Sequence, residues 1–225
     1  MAVFQLKQIR NPSMGDPIHW TYDRAELIAD GVVHVTGVSL GMIAIAFRIF
    51  QLTAGIDRYD VIVYTIVLAM MLGLSATYNL WPVSPRKWLL RRFDHAVIYL
   101  LIAATYTPFI WEVRDGDLAI VFLIAVWSTA LAGAILKLNF PGRFDRLSIG
   151  LYLALGWSGI FAYEKAVASL PLSTLILIAA GGALYTFGVV FHSWERLRFQ
   201  NAIWHGFVLL AAGCHFAAVL GLETA

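Results

Sequence analysis

Carboxylate and imidazole side chains stand at unusual places in this sequence, inside long apolar segments or at their ends. Glu26, Asp30 and His34 are spaced four residues apart, so on a helix they share one face. Such groups can bind a metal ion, carry protons or act as general acid and base. An ionisable group inside a membrane segment costs about 2.5–3.5 kcal/mol on insertion scales, which predicts a partner or a function for it.

Polar residues also mark the ends of three other apolar segments. The first, third and seventh segments begin at the same end of the predicted bundle, and the second segment ends there. Polar groups at one depth avoid lipid only by facing one another, so we predict a polar pocket at that end. Its predicted residues are Glu26, Asp30, His34, Ser75, Asn79, Asp94, His95, Asn201 and His205.

A simpler alternative stays open for each of these residues taken singly. Near the headgroups, a polar side chain can cap or solvate a helix end without any further function. A lone histidine in an apolar segment, such as His205 or the deeper His215, is usually a core residue with a satisfied ring nitrogen. The convergence of several sets at one depth favours a site over this alternative.

The composition places these residues in a membrane protein. Hydrophobic residues make up 60% of the chain and charged residues 13%, whereas soluble domains have about 45–50% and 25%. A soluble domain of 225 residues could not bury this much apolar surface. The net charge of +2 gives no reason to expect a nucleic-acid partner, and the single cysteine, Cys214, excludes an intrachain disulfide. The expected partners are the lipid bilayer and a lipid or small-molecule ligand.

Seven apolar segments are long enough, or nearly so, to cross a bilayer core of about 30 Å as helices. The short links between them force neighbouring helices to run antiparallel. The predicted fold class is an all-α membrane protein, with a cytoplasmic segment (residues 1–30) before a seven-transmembrane helix bundle (residues 31–222). The predicted crossings are residues 31–50, 61–80, 95–111, 118–136, 147–163, 172–191 and 202–222.

Lysine and arginine set the predicted orientation, because cytoplasmic links carry an excess of both. The N-terminal segment and the even-numbered links hold twelve of these residues, and the opposite side holds four. We therefore predict a cytoplasmic N-terminus and, after seven crossings, a C-terminus on the outer side. The twelve are Lys7, Arg10, Arg24, Arg86, Lys87, Arg91, Arg92, Lys137, Arg143, Arg146, Arg196 and Arg198, and the four are Arg48, Arg58, Arg114 and Lys165.

The run RFDHAVIYLLIAATYTPF, residues 92–109, resembles the third-helix signature of bacterial hemolysin III proteins. Three shorter stretches agree with it. ELIADGVVH (26–34), SATYN (75–79) and NAIWH (201–205) resemble patterns of the first, second and seventh helices of that family. The resemblance covers roughly residues 26–220. This family shares a superfamily with the progestin and adiponectin receptors and the alkaline ceramidases.

The resemblance implies a zinc ion at the cytoplasmic end, held by one histidine of the second helix and two of the seventh. It also implies an aspartate at the start of the third helix that holds a water near the metal. Asp94, His205 and Ser75 match this pattern. Asn79 and Asn201 stand where the resemblance implies the other two histidines.

With asparagine at these two positions, we predict that the implied site has lost most of its affinity for zinc, because a neutral carbonyl oxygen is a weak ligand for Zn²⁺. An asparagine pair facing His205 and Asp94 can form a satisfied hydrogen-bonded network without metal. Zinc binding stays open as an alternative if substitute ligands turn inward. The substitutes in reach are Asp30, His34, Asp94 and His95.

Three functions follow as hypotheses. The resemblance favours a hemolysin III-like, multi-pass protein of the bacterial inner membrane, active in membrane or lipid homeostasis, with a largely metal-free pocket. The first alternative is a zinc-dependent lipid amide hydrolase, in which Asp94 positions water, Ser75 polarises the scissile carbonyl and His205 is a ligand or base. The second alternative is a proton or ion carrier, and its relay groups would be Glu26, Asp30, His34, Asp94 and His205.

Overall fold

The computed structural model describes residues 22–53, 58–113, 116–140, 142–194 and 196–222. Within these ranges every regular element is helical. Lys7, Arg10 and Arg114, which contribute to the predicted orientation, lie outside the described residues. The helices are α1 (Arg24–Thr53), α2 (Tyr59–Leu80), α3 (Pro85–Val113), α4 (Gly116–Asn139), α5 (Asp145–Trp157), α6 (Tyr163–Ser169), α7 (Leu172–His192) and α8 (Gln200–Gly221), with a 3₁₀ turn at Ser158–Ala162.

Six of these helices, all except α5 and α6, are long and apolar enough to cross a membrane. The prediction of a multi-pass, all-helical membrane protein is therefore confirmed. The predicted fifth crossing, residues 147–163, falls on a broken element. There α5 ends at Trp157, and the 3₁₀ turn leads into the seven-residue α6. A count of seven crossings stays a prediction.

Tyr106 of α3 stabilises the break that follows α5. Its hydroxyl accepts a hydrogen bond from the backbone N–H of Gly159 at 2.7 Å and donates one to the carbonyl of Gly156 at 2.6 Å. An unpaired backbone group costs several kcal/mol in a hydrocarbon environment. The phenol thus replaces helical hydrogen bonds at the point where α5 gives way to the 3₁₀ turn.

Helix α3 lies at the centre of the bundle, between α2 and α4, and α8 packs between α7 and α1. Tyr99 on α3 is only 1% exposed. It fits there because Gly133 of α4 has no side chain: a Cβ atom at that position would lie 2.5 Å from the Tyr99 ring. The packing brings together the beginnings of α1, α3 and α8 and the end of α2. We call this end of the bundle the polar end.

The outer surface of the bundle is apolar. Val35 and Ile43 on α1 are 61% and 65% exposed, and Ile124 on α4 is 60% exposed. Side chains of this kind are contiguous along the long helices, whereas soluble monomers rarely expose large apolar patches. Lipid in place of water removes the cost of this exposure.

An ion cluster of two buried cations and one partly buried carboxylate joins three helices at the polar end. Asp145, the first residue of α5, accepts hydrogen bonds from Arg91 Nη2 of α3 at 2.7 Å and from Lys137 Nζ of α4 at 2.6 Å. Burial alone would raise the pKa of Asp145, but the two cations outweigh burial and hold that pKa below its usual range. The cluster fixes α5 to α3 and α4 before the apolar part of α5 begins.

Candidate functional site

Glu26 lies at the rim of the polar end, where it caps two helices. Its Oε2 accepts the backbone N–H of Asp23 at 2.8 Å, and Asp23 Oδ1 accepts the backbone N–H of Glu26 at 2.9 Å. This reciprocal pair is a capping box that begins α1. Glu26 Oε1 also accepts the backbone N–H of Phe199 at 3.0 Å, next to the start of α8. For Glu26 the structure therefore shows the capping role that the simpler alternative describes.

Asp30 is the centre of the polar residues that the structure brings together. The residue is 5% exposed. Its Oδ1 accepts a hydrogen bond from His205 Nδ1 at 2.7 Å, and its Oδ2 accepts one from Asn201 Nδ2 at 2.9 Å. Because these donors lie one helical turn apart on α8, a single carboxylate connects α1 to two successive turns of α8.

His34 faces the same space one turn further along α1, and it is 6% exposed. Its Nδ1 donates to the backbone carbonyl of Asp30 at 2.8 Å, so in the neutral ring Nε2 carries the lone pair. That Nε2 lies 3.3 Å from the Ser75 hydroxyl of α2. The rings of His34 and His205 meet edge to face, with centroids 4.4 Å apart.

The two asparagines contact each other and the rest of the cluster. Asn201 Nδ2 lies 3.2 Å from Asn79 Oδ1, and Asn79 Nδ2 donates to the carbonyl of Ser75 at 3.0 Å. Amide groups thus extend the network from α8 across to α2. We use the name Asp30 cluster for this set, whose members are Asp30, His34, Ser75, Asn79, Asn201 and His205.

Asp94 and His95 are neighbours on α3 but point in different directions. The carboxyl group of Asp94, which is 9% exposed, lies near Ser75 and so borders the cluster. His95 is rotated by about 100° on the helix. Its ring lies edge-on to Tyr78, and its carbonyl accepts the Tyr152 hydroxyl at 2.8 Å. The structure therefore brings Asp94 to the cluster and places His95 outside it.

Lys87 borders the cluster as well, although the sequence suggested only a basic link residue. Its Nζ donates to the carbonyls of Asn79 at 3.1 Å and Trp81 at 2.9 Å, at the end of α2. A cation at this place interacts favourably with the negative end of the helix dipole. Nothing in the spacing of Arg86 and Lys87 distinguishes this lysine from its neighbour, so no sequence signal could have identified it.

His215 lies deeper on α8, apart from the cluster. Its Nε2 lies 3.3 Å from the carbonyl of Ile178 on α7. A Cβ atom on Gly181 would lie 2.4 Å from the imidazole ring, so the missing side chain there makes room for it. This is the ordinary arrangement of a core histidine.

A small cavity adjoins the Asp30 cluster, between α1, α2 and α8. Its volume is about 30 Å³, and its polar wall consists of His34, Ser75 and His205. The remaining wall is apolar, with Met71 and Leu72 among its residues. A water molecule needs roughly 10–15 Å³ of such space, so the cavity has room for a water or an ion beside two imidazoles and a hydroxyl.

The residues at the positions implied by the family resemblance do not fit zinc. Of Asn79, Asn201 and His205, only the histidine offers a strong ligand, and the two amides are engaged with each other. A different set is closer to zinc chemistry. Donor atoms of Asp30, His34 and His205 all lie within 4.8 Å of one another.

The chain is similar to known membrane proteins over most of its length. The family described as Haemolysin-III related matches residues 25–216. The chain is 38% identical over 199 residues to "Hemolysin-3 homolog" of Bacillus subtilis (strain 168), which covers 87% of this chain and 93% of that protein. It is 35% identical over 198 residues to "Hemolysin-3" of Bacillus cereus, covering 87% and 90%. It is also 30% identical over 165 residues to the human "Monocyte to macrophage differentiation factor", covering 70% and 67%. With apolar helices that can span a bilayer and this similarity, the chain belongs to the hemolysin III family of integral membrane proteins, in the superfamily of the progestin and adiponectin receptors.

Proposed function

We propose that this chain is a bacterial inner-membrane protein that acts in membrane or lipid homeostasis, with the Asp30 cluster as its working site. In this proposal the N-terminus is cytoplasmic, residues 147–163 form the fifth of seven crossings, and the polar end faces the cytoplasm. The pocket is largely metal-free and functions as a hydrogen-bonded network, with no zinc bound through Asn79 and Asn201.

The distribution of basic residues supports this orientation. Arg91 and Lys137 belong to the ion cluster at the polar end. At the opposite end, Arg58 is balanced by two acids, because it contacts Asp60 at 2.7 Å and Glu112 at 2.8 Å. An excess of lysine and arginine on one side indicates the cytoplasmic side.

The pairing of Asp30 with α8 is the observation that carries the proposal. A buried carboxylate with two donors from a neighbouring helix is costly to assemble unless every member has a partner. Here His205 and Asn201 supply both donors, and the chain of contacts continues through Asn79 to Ser75. Such a network holds α1, α2 and α8 in a defined arrangement beneath the inner headgroups.

Membrane order in living cells tests this function. A bacterial strain that lacks the protein would be compared with its parent, using a fluorescent probe of lipid packing and a lipid-composition profile. We expect altered packing in the deletion strain and restoration by the native protein and by His215→Gln. Asp30→Ala should fail to restore it at a matched membrane level. Unchanged lipid packing and composition after loss of the protein would contradict the proposal.

A lipid amide hydrolase is the second candidate function, and the position of Ser75 favours it. The Ser75 hydroxyl lies on the wall of the cavity, beside His34 and next to Asp94. A hydroxyl on the cavity wall and a carboxyl group near that hydroxyl can orient an amide and a water.

Turnover of a fluorescent ceramide analogue by the purified protein, assayed with and without added zinc, tests the hydrolase function. Hydrolysis that falls by about 100-fold or more in Ser75→Ala and Asp94→Asn would establish it. No turnover by the native protein in either condition would exclude it.

A further inference from the structure

We propose that Asp30, His34 and His205 form an exchangeable site for a divalent transition-metal ion such as Zn²⁺ or Co²⁺. This site shares only His205 with the positions implied by the family resemblance, and it takes its other two residues from α1. The inference deepens the proposed function, because it assigns a ligand to the same cluster. The ion would occupy the site when it is available and would not be a permanent part of the protein.

The donor set matches the chemistry of these ions. Two imidazoles and one carboxylate form a common ligand set for zinc and related metals, with the remaining position left for water. The three donors lie within 4.8 Å of one another, and two of the three residues are at most 6% exposed. Ligands around one tetrahedral ion are roughly 3.3–3.5 Å apart, so small side-chain rotations suffice to close the site.

The histidine on α1 already has the orientation of a metal ligand. Metal-binding histidines usually donate their second ring N–H to a carbonyl or carboxylate, which fixes the tautomer. His34 Nδ1 donates to the carbonyl of Asp30 at 2.8 Å, so its Nε2 lone pair is available. Among the described residues, this nitrogen has one further hydrogen-bond contact, a long one of 3.3 Å to the Ser75 hydroxyl.

The contact between Asp30 and His205 makes the site exchangeable. Their 2.7 Å separation is a hydrogen bond and is too short for two ligands of one tetrahedral ion. An entering ion must therefore replace a charge-assisted hydrogen bond. The cost of that replacement weakens metal binding by about 10- to 100-fold relative to a site without such a bond. A protein isolated without added metal would hold little of it.

The cavity beside the cluster supplies room for the remaining ligand. His34 and His205 both lie on its polar wall, together with Ser75, and its volume of about 30 Å³ accommodates a water. A second carboxyl group, that of Asp94, lies near Ser75 but is not part of the cavity wall. Negative charge on Asp30 favours a divalent cation at this place.

Metal titration of the full-length protein in detergent tests the site. The protein is stripped with a chelator and titrated with Co²⁺, whose visible absorption reports its ligand geometry, and Zn²⁺ is then added in competition. We expect saturation at about one ion per chain, with affinity reduced at least tenfold in His34→Gln and in Asp30→Asn. His95→Gln and His215→Gln are matched controls and should bind as the native protein does.

X-ray absorption of the zinc-loaded native protein provides a readout that needs no variant. Scattering from a pair of imidazole ligands is expected, because both histidines bind. A single imidazole, absence of stoichiometric Co²⁺ binding, or unchanged affinity in a folded His34→Gln variant would each overturn the inference. The proposed function fails on a separate result, namely unchanged lipid packing and composition in cells that lack the protein.

Discussion

Two histidines on the same helix, His205 and His215, show how differently one side chain can be used. His205 meets a carboxylate from another helix at 2.7 Å and is joined to a network of amides and a hydroxyl. His215 meets a backbone carbonyl at 3.3 Å in a notch created by Gly181. Both are ionisable groups in an apolar helix, so their presence alone does not indicate a site. What separates them is the charged partner that a neighbouring helix supplies.

The largest expected effect comes from removing that partner. Asp30→Ala leaves two donors on α8, from His205 and Asn201, buried without an acceptor. Each such donor costs about 1–3 kcal/mol, so we expect a loss of roughly 2–6 kcal/mol in the free energy of unfolding. Unfolding by denaturing detergent, followed by circular dichroism, measures it. His215→Gln is the control and should cost less than about 1.5 kcal/mol. Equal losses for the two variants would remove the distinction between the two histidines.

The notch around His215 gives the next effect. In Gly181→Ala the new Cβ atom would lie 2.4 Å from the imidazole, and such overpacking costs about 1–3 kcal/mol. In a His215→Ala background the ring is gone, so most of that cost should disappear. The same unfolding assay on the two single variants and the double variant forms a thermodynamic cycle. Additive losses would mean that Gly181 and His215 do not interact as described.

Asp145 differs from both histidines, because its carboxylate pairs directly with two cations. Arg91 and Lys137 hold the Asp145 pKa below its usual range against the effect of burial. Its contribution to stability is therefore complete above the ordinary carboxyl pKa of about 3.9 and declines as the pH falls from there toward the lowered value. Melting temperatures measured from pH 6 downward should show the native protein approaching Asp145→Asn only below about pH 4. A difference between the two proteins that stays constant with pH would contradict this pairing.

The smallest effect is expected at the exposed edge of the polar end. Arg198 contacts Asp23 at 3.2 Å, but the side chains are 67% and 50% exposed. Pairs of this kind contribute about 0–1 kcal/mol, and salt screens them. Arg198→Ala should therefore change the free energy of unfolding by less than about 1 kcal/mol, with the difference vanishing at high salt. A larger, salt-independent loss would show that the rim is as important as the cluster.

The sequence was sufficient to predict the long helices and that polar residues of several helices lie at one end of the bundle. Apolar segments of about 20 residues are predictable because a bilayer fixes their length. The break after α5 was not predictable in this way, since it depends on Tyr106 of a distant helix supplying hydrogen bonds to Gly156 and Gly159. Hydropathy depends only on the residues of one segment, whereas the break after α5 also depends on hydrogen bonds from a side chain of α3.

The candidate site shows the same limit. Spacing of four residues placed Asp30 and His34 on one face of α1, and the structure has them in contact. Spacing could not show that Glu26 contacts the backbone N–H of Phe199, next to the start of α8, whereas Asp30 contacts the side chain of His205. It also could not reveal that Lys87 reaches the end of α2, because that contact depends on how the link between α2 and α3 turns.

The most direct test of a hydrogen-bonded Asp30 cluster without resident metal is the zinc content of the protein isolated without added metal. The native chain would be measured beside an Asn79→His, Asn201→His double variant by mass spectrometry of the metal. We predict far less than one zinc per native chain and about one in the variant, where three imidazoles meet. Equimolar zinc in the native chain would contradict a hydrogen-bonded, metal-free cluster. Near-zero zinc in both proteins would show that positions 79, 201 and 205 do not converge.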